Sequence, residues 1–202
     1  MFMIIKKLNI TPALIIFETL TLIVLDFVKS FNILLSALLV GIVGTLAAII
    51  VHNLLSNRFT LMSINKERIR FNYSLSIFIT LFLIALFLAQ NLILYLVYLP
   101  SSILGSFGLG FLSAFLASML CLSVYNIQPF KIKLLGNKEI IIKKTNILNT
   151  SLLIAIYEAF ILPIMIPLMQ ISFALAGFTS ALIAGLIVTT LYNNINLKVI
   201  WK

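Results

Sequence analysis

Six long apolar runs separated by short polar stretches set the pattern of this chain. The runs are Thr11 to Val28, Ile33 to Leu55, Leu75 to Leu99, Phe107 to Val124, Ser151 to Met169 and Ile171 to Tyr192. Their lengths approach or exceed the roughly 20 residues with which a helix crosses hydrocarbon, so each predicts a membrane-spanning helix. The stretches between them follow a different period. Phe130-Lys131-Ile132-Lys133-Leu134 alternates every second residue, Gly136-Asn137 is a turn signal, and Ile140-Ile141-Ile142-Lys143-Lys144 is rich in β-branched residues. Phe59 to Ile64, Asn65-Lys66-Glu67 and Arg68 to Phe71 repeat that layout, and the Asn-Lys-Glu triplet returns at Asn137-Lys138-Glu139. Met3 to Lys7 and Leu197 to Trp201 complete six candidate strands.

The pattern therefore predicts a membrane all-α fold of six transmembrane helices, arranged as three hairpin repeats about a pseudo-threefold axis. A small cytoplasmic β-sheet from the inter-repeat segments caps it. The repeats occupy residues 1–66, 67–138 and 139–202 of one compact membrane domain. Each carries a marker asparagine after its second span, at Asn53, Asn126 and Asn193, preceded by His52, Tyr125 and Tyr192. Counting back from the marker aligns Ala37 with Gly110 and Gly177, Gly41 with Ala114 and Ala181, and Gly44 with Ala117 and Ala184. Small residues on one helix face permit close backbone approach where no hydrophobic drive exists between helices. The face is thus expected to be a packing surface, with the even-numbered spans interior; lining of a pore or substrate cleft is the competing use. The marker is expected to end the helix, since Asn tolerates the left-handed conformation of a C-terminal cap. His52 is expected to anchor at the membrane interface.

Composition closes off other classes. Hydrophobic residues make up 62% of the chain and charged ones 9%, far from the roughly 25% charged residues of soluble domains. Lys6-Lys7 before an apolar segment resembles a signal peptide, but Glu18 and Asp26 interrupt that segment and no small-x-small site follows, which predicts a retained span. The single cysteine, Cys121, lies in a span, permits no disulfide within the chain and reads as a packing residue.

The net charge of +9 does not form a basic domain. The cations cluster before span one, between spans two and three, between spans four and five, and after span six; Lys29 alone falls on the other side. Lys and Arg are retained on the cytoplasmic side, so both termini are expected there, next to anionic lipid headgroups. Nucleic acid is not an expected partner.

Polar groups within the spans are the candidate chemistry, because a charge in hydrocarbon is costly unless paired, protonated or solvated. Glu18 and Glu158 stand at the same offset before Asn53 and Asn193, and that offset before Asn126 falls on Asn91, preceded by Gln90. A triad of Glu18, Asn91 and Glu158 near an axis would bind a cation or share protons. The alternative is local bonding of each carboxyl at a helix contact. Pro163 and Pro167 free helical carbonyls near Glu158, and Asp26 can pair with Lys29. With no histidine pair, cysteine cluster or glycine-rich phosphate loop, no metal, cofactor or catalytic role is expected.

The order strand, two spans, Tyr-Asn and alternating tail is similar to the bacterial and archaeal two-span modules of unknown function. Ile4 to Lys7, Tyr125-Asn126, Tyr192-Asn193, Phe130 to Leu134 and Leu197 to Trp201 carry the resemblance. It implies architecture alone, and the chain departs from it by carrying three modules and lacking Gly-Gly after the asparagine. In length, span number and small-residue packing the chain also resembles the substrate-binding membrane component of energy-coupling-factor vitamin transporters, which implies a vitamin-sized ligand near the outer side. The sequence reading favours a non-enzymatic structural or accessory subunit of a membrane assembly, with a protein partner or self-association. Its alternative is a small transporter, ion pathway or substrate-binding component using Glu18 and Glu158.

Overall fold

The computed structural model describes residues 3–4, 7–71, 73–96, 103–125, 130–133, 139–142, 146–194 and 200–201. Pro12 lies in the first turn of helix α1 (Thr11–Val28), where its missing N–H costs nothing. Asn32 then caps α2 (Ile33–Leu39) by accepting the Leu35 N–H at 2.8 Å. The second span continues through a π-helical turn (Val40–Gly44) into α3 (Thr45–Leu55). The remaining spans are α4 (Tyr73–Leu96), α5 (Ile103–Tyr125), α6 (Ile147–Met169) and α7 (Phe173–Asn194). Six helices are long and apolar enough to cross a membrane, as expected of a multi-pass integral membrane protein. The first two spans have the expected limits. The fourth begins earlier, at Ile103, because Gly105 and Gly108 are tolerated inside a membrane helix. Pro163 and Pro167 lie inside α6 without ending it.

Sequence neighbours are neighbours in space. The α1 helix packs on the second span, that span on α4, α4 on α5, α5 on α6, α6 on α7, and α7 returns to pack on α1. The result is a closed ring of six spans. Among the described residues α1, α4 and α6 make no comparable contact with one another.

The ring is small inside its joints and large outside. On α5, Leu112, Leu116 and Leu120 are exposed, whereas Ser113, Ala114, Ala117, Ser118 and Cys121 are buried. This is the distribution expected where lipid, not water, meets the outer surface. All nine small residues of the aligned face are buried: Ala37, Gly41, Gly44, Gly110, Ala114, Ala117, Gly177, Ala181 and Ala184. A Cβ on Gly110 would collide with the Glu158 carbonyl of α6, and one on Gly177 would come within 2.7 Å of the Glu18 carbonyl of α1. Gly41, in the π turn, meets the Ile84 side chain of α4.

The β-patterned segments pair as three separate ladders among the described residues, where one sheet was expected. Strand β1 (Met3–Ile4) pairs antiparallel with β7 (Ile200–Trp201). Strands β2 (Leu8–Asn9), β3 (Ser63–Ile64) and β4 (Glu67–Arg68) form a three-stranded ladder. Strands β5 (Phe130–Lys133) and β6 (Glu139–Ile142) form the third. Asn65 and Lys66, with φ of 52° and 71°, turn β3 into β4, which is the tight two-residue hairpin that suits strand twist. The matching turn at Asn137-Lys138 lies outside the described residues.

Candidate ligand site between the helices

Two tight joints place the acidic residues. Gly110 seats α5 on the backbone of α6 at Glu158, and Gly177 seats α7 on the backbone of α1 at Glu18. With those backbones held against the small-residue helices, both acidic side chains reach the space between α1, α4 and α6. There they border two cavities. The larger, about 270 Å³, is walled by hydrocarbon and rings from α1 (Ala13, Leu14, Phe17), α4 (Phe78, Ile79, Phe82) and α6 (Leu153, Ile154), with Ile10, Met62 and Phe71 also lining it. The smaller, about 70 Å³, continues toward Leu25, Gln90 and Met165. Glu18, Thr21, Leu83 and Glu158 line both, so the carboxylates stand where the cavities meet.

The two carboxylates differ in their partners. Tyr157 directs its hydroxyl at Glu18 Oε1 over 3.5 Å, long for a hydrogen bond. Glu158 is 4% exposed, and its carboxylate has no hydrogen-bond partner among the described residues. Pro163 cannot donate to the Ala159 carbonyl, which removes one helical bond in the turn that carries Glu158.

Asn91 is not brought to this place. Its Nδ2 donates to the Phe87 carbonyl of its own helix at 2.8 Å, and Gln90 is the amide that lines the smaller cavity. The physical reason is rotation: span three begins at Tyr73 and is longer than its counterparts, and each residue of offset turns a side chain by about 100°. None of the nine small residues lines either cavity.

The marker asparagines have a different role from the one expected. Asn53 lies within α3 and Asn193 within α7, and neither has a positive φ. Instead each side-chain amide grips one distant backbone residue at two points. Asn53 Oδ1 accepts the Phe71 N–H at 3.0 Å while its Nδ2 donates to the Phe71 carbonyl at 3.0 Å. Asn193 does the same with Leu8, at 3.0 and 2.9 Å. Phe71 and Leu8 each lie just before a helix, α4 and α1. Asn126 lies outside the described residues.

His52 is fully buried with its ring 4.4 Å from Phe71 in edge contact, so it is part of the chamber's underlying packing and not an interfacial anchor. The histidine follows the apolar periodicity of its helix, and its partner on another segment gave no local signal. Asp26 and Lys29 form an exposed ion pair at 2.7 Å, with Lys29 over the Phe173 ring. No group of three or more metal-ligating side chains occurs among the described residues. Comparison with protein-family models, with curated proteins and with solved structures finds no match.

Proposed function

We propose that the chain is a small membrane transporter or ion pathway that binds a cation at Glu18 and Glu158. The observation that carries the reading is a pair of buried carboxylates at the meeting point of two half-open cavities lined mainly by α1, α4 and α6. Two ionised carboxylates in such an apolar place require a counter-charge, which protons or a bound cation provide. Gln90 lies on the far side of the pair and offers a carbonyl oxygen and an amide to whatever passes.

The ring is read as three hairpin repeats about a pseudo-threefold axis. Support comes from the recurring joints of Gly110 on Glu158 and Gly177 on Glu18, and from the recurring clamps of Asn53 and Asn193. By the distribution of Lys and Arg, the ladders and both termini are cytoplasmic, and the cations beside them meet anionic headgroups. The role is non-enzymatic.

The test is flux in proteoliposomes holding the full chain, followed with sodium- and proton-sensitive dyes. The wild type is expected to conduct or exchange, and Glu18→Gln and Glu158→Gln are expected to abolish it. Unchanged flux in both variants, or a wild type with neither flux nor carboxylate-dependent cation binding, would leave the structural or accessory subunit as the better reading.

A further inference from the structure

We propose that the chamber takes a monovalent organic cation with an apolar body, of the lipophilic amine or quaternary ammonium class. The inference rests on the reading of Glu18 and Glu158 as a ligand-binding pair and adds what the ligand must be. The chamber offers two chemistries at once. Its walls are hydrocarbon and aromatic, with Phe17, Phe71, Phe78 and Phe82 among them, and its polar side chains are Glu18, Thr21, Tyr157 and Glu158, gathered where the smaller cavity joins it.

Each other class of occupant satisfies only one of the two. An inorganic ion sheds its water only when several oxygen ligands replace it, and most of this wall carries none. A lipid tail or other neutral apolar molecule fills the walls but brings no group to meet the carboxyl oxygens, which must then be neutralised by protons alone. An anion is repelled. An organic cation places its charge at the carboxylates and its body among the rings, whose faces attract positive charge. The volume of about 270 Å³ lies near the lower end of the roughly 300–1,000 Å³ typical of small-molecule pockets. The carboxylate of Glu158, 4% exposed, bordering the chamber and without a hydrogen-bond partner among the described residues, is the group such a ligand would satisfy.

The experiment uses the full chain purified in detergent, with benzyltrimethylammonium as the probe and neopentylbenzene as its uncharged isostere, both followed by calorimetry. Saturable binding of the cation and none of the isostere is expected. Glu158→Gln is expected to lower the affinity at least about tenfold, with an unchanged melting profile. If that variant does not fold, Glu18→Gln and the comparison of cation with isostere on the wild type decide. Equal binding of the isostere, or a cation affinity indifferent to both carboxylates, overturns the proposal and makes the chamber a crevice for lipid tails. Carboxylate-dependent sodium or proton flux without benzyltrimethylammonium binding would overturn this ligand class while leaving the pathway intact; loss of both would remove both.

Discussion

A primary amide carries a donor and an acceptor in one plane, and so does a peptide backbone seen from its edge. Asn53 and Asn193 use that match to hold Phe71 and Leu8 as a strand partner would. Asn53→Ala or Asn193→Ala removes two hydrogen bonds and leaves a backbone N–H and carbonyl without them. Each substitution is expected to cost about 1–3 kcal/mol, read as a lower midpoint in thermal unfolding in detergent. Asn53→Asp keeps the acceptor and loses the donor, so its midpoint should fall between those of wild type and Asn53→Ala. The recurrence of this residue was legible in the sequence, because spacing repeats are visible there. Its partner was not, since Phe71 and Leu8 are distant in the chain from the residues that grip them. The same limit applies to the site: Glu18 and Glu158 stood out as acids within apolar runs, whereas choosing Gln90 over Asn91 depended on a helix rotation that counting cannot supply.

Helix joints were more legible than their partners. The bilayer imposes a length and an apolar character on each span, so the six runs emerged from hydropathy alone, and the small face emerged from its alignment. The π turn at Val40–Gly44 had no counterpart in the reading, because one extra residue in a helical ladder leaves the hydrophobic pattern nearly unchanged. The β pattern likewise located strands but not their separation into three ladders, which depends on where the helix ends stand. Two glycines on α5 give a clean comparison. Gly110 has the Glu158 backbone where its Cβ would be, while Gly108 has nothing within 4 Å. Gly110→Ala is expected to destabilise the joint by roughly 1–3 kcal/mol. Gly108→Ala should be neutral or stabilising by up to about 1 kcal/mol, as alanine is the better helix former. Paired melting curves of the two variants check this, and equal loss in both would deny the tight joint.

At the scale of the molecule, the contacts that matter most join the two ends of the chain. The α7 helix packs on α1, Asn193 grips Leu8, and β7 pairs with β1 at Ile4 opposite Ile200 and Met3 opposite Trp201. Strands β1 and β7 must therefore lie on one face of the membrane. Reporters fused at either end are expected to give the same side; opposite readings would break the ring. The packing of α7 on α1 also sets a timetable. A ribosome delivers the chain from its N-terminus at about 5–20 residues per second, and early segments ordinarily settle while later ones are still being made. Here α1 must wait in the bilayer for its last neighbour, with the backbone at Glu18 uncovered until Gly177 arrives. The acidic residue at the centre of the site is thus left open through most of biosynthesis.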